Sequence, residues 1–278
     1  MKYCDLHVHS DHSVGTCTPT EVVALAEEAG LAAVALCDHN TVSGLAEFMA
    51  VETELELIPG TEFSTDYQGT ELHILALYIS PGHYAAVTAR AEQYLIDKER
   101  SNIDLCRALT EAGYPLNYEK IRSATADGFV NRAVIGAEMV RLGYVESVQQ
   151  AFKRFLSEKH GYYKPPKRPD AFEIIGFIRS IGAVAVLAHP FLNLSREELE
   201  VFLPKAVEAG LCGMEVQYSK YSPEETAEAY KLAEKYGLLP SGGSDFHGEN
   251  KPDIAVGVGR GELKIPYSWA QQIKLKKI

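Results

Sequence analysis

The side chains with chemistry to offer in this 278-residue chain are imidazoles and carboxylates at short spacings. His7 and His9 are two apart, and Asp38 directly precedes His39. Glu62 follows Pro59-Gly60-Thr61, and His73 lies in Glu71-Leu72-His73-Ile74. His189 precedes Pro190, and Asp245 and His247 are again two apart. Neutral imidazoles mixed with carboxylates, and no cysteine among them, suit zinc, manganese or iron rather than a structural thiolate site. More than four ligands implies more than one ion. A carboxylate such as Glu62 can bridge two cations about 3.5–4 Å apart, the separation used in phosphate-ester hydrolysis. Each residue alone has a structural alternative: a buried, satisfied histidine, a helix cap at Asp38, a solvated Glu62. Their joint placement argues for metal.

That placement comes from the elements that must carry them. Tyr3 to Val8 reads as a strand, which puts His7 and His9 on one face. Thr18-Pro19-Thr20-Glu21 opens a helix with a capping box and a proline in its first turn, and Gly30 stops it. Leu31 to Cys37 is a continuous apolar run, as expected of a parallel strand covered on both faces. A helix over Val42 to Glu52 and strands at Leu55 to Ile58 and Glu71 to Ile79 follow. Later come helix Ala171 to Ile181, strand Ala183 to Leu187, helix Arg196 to Ala209, strand Gly213 to Gln217 and helix Glu224 to Tyr236. Repeated βα units with buried strands predict a parallel α/β barrel, whose strand C-termini converge on one rim. Most of the candidate ligands fall at or just beyond such strand ends. From about Tyr84 to His160 the periodicity is helical, and the proline-rich stretch 164–169 closes it. The expected organisation is barrel core over 1–89 and 166–278, with a helical insertion over 90–165.

Thirty-eight acidic against 27 basic residues give a net charge of −11, which argues against coating long nucleic acids with lysines. A pocket for a small phosphorylated molecule is compatible with it, since bound metals make a site locally positive. Five cysteines without paired spacing give neither a disulfide framework nor a four-cysteine zinc site. Cys4, Cys37 and Cys212 sit in apolar runs and are expected to be buried thiols. The opening residues lack a signal peptide's apolar stretch, and no run approaches a membrane span, so a cytoplasmic protein that binds no membrane is expected.

At these residues the sequence resembles the PHP family of metal-dependent phosphoesterases, named for polymerase and histidinol phosphatase. The matching motifs are Asp5-Leu6-His7-Val8-His9-Ser10, Cys37-Asp38-His39-Asn40, Gly60-Thr61-Glu62, Leu72-His73-Ile74, Ala188-His189-Pro190 and Gly243-Ser244-Asp245-Phe246-His247. The resemblance is closest to the branch acting on nucleotides and short oligonucleotides, which Asn131-Arg132 and Gly161-Tyr162 also match. It implies a distorted barrel of seven βα units holding two or three divalent transition metals (manganese, zinc or iron). One metal would take His7, His9, Glu62 and Asp245, a second Glu62, His73 and His189, and a third His39 and His247. The chain departs from the branch at Ser13-Val14-Gly15, where the pattern has an aspartate in place of Val14. Either Asp11 or His12 substitutes, or the third site is weak. It departs again at Ala133-Val134-Ile135, where a histidine is usual.

The function expected is hydrolysis of a small nucleoside phosphate, bisphosphate or short oligonucleotide by a metal-activated hydroxide. His12, His39 and His247 are candidate catalytic groups around the leaving oxygen. Asn131, Arg132 and Arg168 are candidates for holding substrate phosphate, arginine offering a planar fork of donors. The alternatives are histidinol-phosphate hydrolysis, metal-dependent cleavage of a C–N or carboxylic ester bond, and a non-catalytic metal-binding module.

Overall fold

The computed structural model describes residues 2–125 and 130–278. The chain divides into two compact units, one of residues 1–91 with 168–278 and one of residues 92–167.

The larger unit is an α/β barrel. Its strands are β1 (Tyr3–Val8), β2 (Ala33–Leu36), β3 (Glu56–Tyr67), β4 (Thr70–Leu77), β5 (Val184–Leu187), β6 (Gly213–Tyr218), β7 (Leu239–Gly243) and β8 (Ile265–Pro266). They form one sheet in the order β7-β6-β5-β4-β3-β2-β1-β8. The sheet nearly closes where the chain beyond β7 meets β1. Asp245 N–H donates to His7 O at 2.8 Å, and His9 N–H donates to Phe246 O at 3.1 Å. Gly243 allows this approach, because a Cβ there would lie 2.2 Å from the His7 Cβ. Short β8 runs antiparallel to β1 at Tyr3 and Cys4.

The helices of this unit include α1 (Pro19–Glu28) and α2 (Leu45–Met49). α1 starts with the expected reciprocal cap: the Thr18 side chain accepts from Glu21 N, and Glu21 accepts from Thr18 N. β2 and β5 are buried at every residue, so their apolar runs meet covering layers on both faces. The barrel core packs Leu6, Ile58, Leu75, Val186 and Ile265.

Two expectations need correction. The sheet is not purely parallel: β4 is antiparallel to both β3 and β5. β3 and β4 form a hairpin with no helix between them. β3 also continues to Tyr67 rather than stopping near Ile58, so Glu62 lies inside a strand. Polar residues mask that extension in the sequence, and they are satisfied within the fold. Thr61 Oγ1 donates to Asp38 O, Thr65 Oγ1 to Leu72 O, and Asn40 and Ser64 bond each other. Of the cysteines, Cys4 and Cys37 are buried and Cys212 is only half-buried.

The smaller unit is helical in its described part. Among the remaining helices, α3 (Tyr84–Glu111) leads to α4 (Tyr118–Ser123), α5 (Arg132–Arg141) and α6 (Val148–Ala151). A π-turn over Phe152–Leu156 follows. The helical expectation over 84–160 includes residues 126–129, which lie outside the described residues. Leu105, Leu109, Ile121, Ile135, Met139 and Leu156 form this unit's core. Back in the barrel, α7 (Ala171–Ser180), α8 (Arg196–Ala209), α9 (Pro223–Lys235) and α10 (Tyr267–Lys274) complete the covering layer. Among the described residues no helix is long and apolar enough to cross a membrane.

Candidate metal centre

Six histidines from five strand ends meet around one buried carboxylate. Glu62 Oε2 lies 3.2 Å from His7 Nε2, His9 Nε2 and His39 Nδ1. Its other oxygen lies 2.8 Å from His73 Nδ1 and 3.0 Å from His189 Nε2. Asp245 Oδ1 approaches His9 Nε2 at 3.3 Å and His247 Nδ1 at 3.4 Å. The antiparallel course of β4 explains His73: the start of that strand sits on the rim where its neighbours end.

The backbone is bent to present these groups. Three of the five non-glycine residues with positive φ among the described residues are Asn40 (56°), His189 (27°) and Asp245 (55°). Such conformations cost about 1–3 kcal/mol each unless the surroundings over-determine them. Here Asn40 is clipped to β3, its N–H donating to Glu62 O at 2.9 Å. Asp38 acts as a brace: it accepts from Ser10 N at 2.9 Å, Ser10 Oγ at 2.6 Å and Ser13 Oγ at 2.5 Å. Asp5 is a second brace, accepting from Ser244 N at 2.9 Å and Gly257 N at 2.8 Å.

Glu215 is the residue the sequence reading missed. It is fully buried on β6, accepts from His7 Nδ1 at 3.0 Å and accepts the backbone N–H of His189 at 2.6 Å. Its signal was present: a lone carboxylate in an apolar strand must find donors. Tyr218 and Lys251 were missed too. The Tyr218 hydroxyl donates to Asp245 Oδ2 at 2.7 Å, and Lys251 Nζ donates to the same oxygen at 2.5 Å.

The donor set fits cations. Because His7 gives its Nδ1 proton to Glu215, its Nε2 presents a lone pair, and that atom faces His9 Nε2 at 3.1 Å. Buried Glu62 Oε2 has three ring nitrogens at 3.2 Å and a well-aligned hydrogen bond from none. His9 and His189 each bury an Nδ1 without a hydrogen-bond partner. Among the described residues, three groups bring their potential ligand atoms within 4.8 Å of one another: His7, His9 and Glu62; His39, Glu62 and His73; and His9, His39 and His247.

The charges follow from this crowding. Burial would raise the Glu62 carboxyl, but His39, His7 and His73 hold it well below the carboxylate range. Burial would likewise raise Asp245, and His9, His7, His247 and Lys251 hold it well below. For His73 burial is outweighed by Glu62 and Glu71, which push the imidazole up to about 10. Burial and the neighbouring His9 push His247 down to about 3, so it is neutral near pH 7.

The other expected residues lie as follows. His12 Nδ1 hydrogen-bonds Ser43 Oγ at 2.8 Å, on the turn after His9, and falls in none of the three groups. Val14 uses its carbonyl to accept from Asn250 Nδ2 at 2.9 Å. Arg168 donates to Glu71 Oε2 at 2.6 Å, and Glu71 Oε1 lies 3.3 Å from His73 Nε2. In the helical unit, Asn131 caps α5 by accepting from Val134 N at 3.0 Å. Arg132 donates to Leu156 O at 3.2 Å, with its guanidinium 4.2 Å from the centre of the Tyr163 ring.

Comparison with known proteins gives the class. The PHP domain family model matches residues 5–158. The 5′-3′ exoribonuclease of Haemophilus influenzae is 33% identical over 249 residues, covering 88% of this chain and 90% of that protein. The 3′,5′-nucleoside bisphosphate phosphatase of Chromobacterium violaceum is 28% identical over 262 residues, 91% of each chain. A crystal structure from Bifidobacterium adolescentis, assigned as a metal-dependent phosphoesterase, superposes with a TM-score of 0.87 at 27% identity. That match covers 100% of this chain and 97% of the other. The chain belongs to the PHP domain family. Within it, the chain is an enzyme, a metal-dependent phosphoesterase.

Proposed function

We propose that this enzyme hydrolyses terminal phosphate esters of nucleotides: a nucleoside phosphate or bisphosphate, or the end of a short oligonucleotide. The observation that carries this reading is Glu62, whose two oxygens face two separate sets of imidazoles within one buried cluster. A carboxylate so placed could contribute a ligand to each of two cation sites, an arrangement that would suit displacement at phosphorus. The relatives named for nucleotide substrates support the substrate class.

In this reading His7, His9, Glu62 and Asp245 would hold one ion, and Glu62, His73 and His189 would hold a second. His39 and His247, next to His9, serve a third. Divalent cations held by these residues would supply charge neutralisation for the ester and would lower the pKa of a bound water toward neutrality. The chain's own part is positional. Glu215 fixes the His7 tautomer, Tyr218 and Lys251 hold Asp245 Oδ2, and Asp38 braces the turn that carries His12. His247, held neutral by burial, suits a ligand better than an acid. His12 is then the candidate for protonating the leaving oxygen, and Asn131, Arg132 and Arg168 remain candidates for substrate phosphate.

A phosphate-release screen over nucleotides, nucleoside bisphosphates, histidinol phosphate and short RNA, with manganese added, tests the proposal. Turnover is expected on the nucleotide substrates and not on histidinol phosphate. Metal-loaded protein inert to every nucleotide substrate would overturn it.

A further inference from the structure

Beside the metal centre, the end of β6 and the start of α9 line a cavity of about 850 Å³. Tyr218 is the wall shared by the two. It lines the cavity, its hydroxyl donates to Asp245 Oδ2 at 2.7 Å, and its ring centre lies 5.3 Å from that of His189. Anything seated in the cavity is therefore one side chain away from the proposed ligands.

The lining combines cations with aromatic rings: Lys220, Arg260 and Lys264 with Tyr221 and Tyr230. Two acids also line it, Glu225 and Glu262. Glu225 is committed to the capping box of α9, accepting from Ser222 N at 2.8 Å. Arg260 pairs with Asp253 at 2.7 Å, an exposed pair that a ligand can open at little cost. Lys220 and Lys264 form no ion pair or hydrogen bond among the described residues. Burial and the nearby Lys251 and Arg260 charges push the Lys220 ammonium down, with Asp245 and Asp253 offsetting part of the effect. In a chain of net charge −11, these cations gather next to the residues proposed to handle phosphate.

Tyr230 supplies a flat apolar surface. It is 37% exposed, Gln217 Nε2 donates to its hydroxyl at 3.0 Å, and Trp269 packs edge-on with ring centres 5.8 Å apart. Those contacts fix the ring while leaving it accessible. Cations that track a backbone beside an aromatic platform for bases are the means by which single strands are held without sequence preference.

We infer that this cavity binds the single-stranded polynucleotide attached to the phosphate ester being cleaved. Its phosphates lie on Lys220, Arg260 and Lys264, and a base stacks on Tyr230. The inference rests on the nucleotide reading of the metal centre. It makes the enzyme's preferred substrate a chain of several nucleotides rather than a mononucleotide.

Equilibrium binding of 3′-labelled, phosphorothioate-linked single strands of one to six nucleotides reads the cavity directly, whether or not the protein turns them over. For the manganese-loaded wild type, affinity is expected to rise with length. Lys220→Glu with Lys264→Glu should remove that rise and flatten its dependence on salt. Tyr230→Ala alone should weaken the longer strands about tenfold. All three side chains are exposed, so the fold should survive, and binding of the single nucleotide should be unchanged. Inorganic polyphosphate bound as tightly as a strand of equal charge, and indifferent to Tyr230→Ala, would overturn the nucleic-acid assignment. Affinity independent of length, or a length effect that survives the variants, would overturn the inference. Absence of phosphate release by the wild type, with length-dependent binding intact, would count against the proposed reaction and leave the cavity's role standing.

Discussion

Oε1 of Glu215 lies 3.0 Å from Nδ1 of His7, and neither side chain is exposed to solvent. The bond leaves the His7 Nε2 lone pair aimed into the cluster, and the other Glu215 oxygen holds the His189 backbone in its left-handed bend. Glu215→Gln should keep the shape and lose the charge. Metal affinity is expected to fall about 10–100-fold, as for other carboxylates that orient a ligating histidine. Chelator competition reads the loss, and circular dichroism should be unchanged. An unaltered affinity would remove Glu215 from the centre.

Glu62 should matter more than any single histidine, because it alone faces both sets of imidazoles. Glu62→Gln is expected to leave fewer than two metals per chain by elemental analysis. His189→Ala should abolish phosphatase turnover with little loss of folding. If Glu62→Gln retained full metal content, the bridging role would be wrong.

Protons and metals compete for the same nitrogens. In the metal-free cluster, burial opposes protonation of His7 and His9, but Glu62 with Glu215 or Asp245 outweighs it and raises both above 6.5. His73 is raised to about 10. A raised histidine stabilises the fold fully below its unfolded value near 6.5, and that contribution fades as pH climbs through the folded value. Glu62 and Asp245, both lowered, contribute above their unfolded values of 4.5 and 3.8 and lose that contribution in acid. Metal-stripped protein is therefore expected to melt at lower temperature as pH rises above 6.5, while metal affinity rises over the same range. Calorimetry from pH 6 to 9 should show protons released on metal binding. A metal affinity flat with pH would contradict the assignment.

Gly243→Ala tests the closure of the barrel. The added Cβ would stand 2.2 Å from the His7 Cβ and 2.8 Å from its backbone nitrogen, which cannot yield independently. Overpacking of this kind costs about 1–3 kcal/mol, measurable as a lower urea midpoint at constant slope. Because His7 is what moves, metal affinity should fall as well. Intact affinity in a destabilised variant would separate closure from ligand placement.

The sequence made much of this legible where apolar pattern and capping agree. Tyr3–Val8 and Arg196–Ala209 form as read, and the six candidate histidines fall together because their strands share a rim. What stayed hidden has a common cause. β3 beyond Ile58 is rich in polar residues, so its hydrophobic alternation vanishes although Thr61, Glu62, Ser64 and Thr65 are buried. Strand direction is also invisible to periodicity, and the antiparallel β4 hid why His73 belongs on the rim. Glu215 sat in plain view as a charge in an apolar strand, but only its distance to His7 reveals its task.

The closure at His7 and Gly243 also bears on how the chain folds. The bonds that bring β1 to the residues after β7 join positions as far as 252 apart, as from Asp5 to Gly257. Loop-closure entropy and high contact order make such pairings late events. During synthesis His7 and His9 emerge first and wait for Asp245 and His247. Candidate ligands His7, His9, His39, Glu62 and His73 are therefore synthesised early, whereas any site that uses Asp245 or His247 would be complete only once the chain beyond β7 has docked against β1.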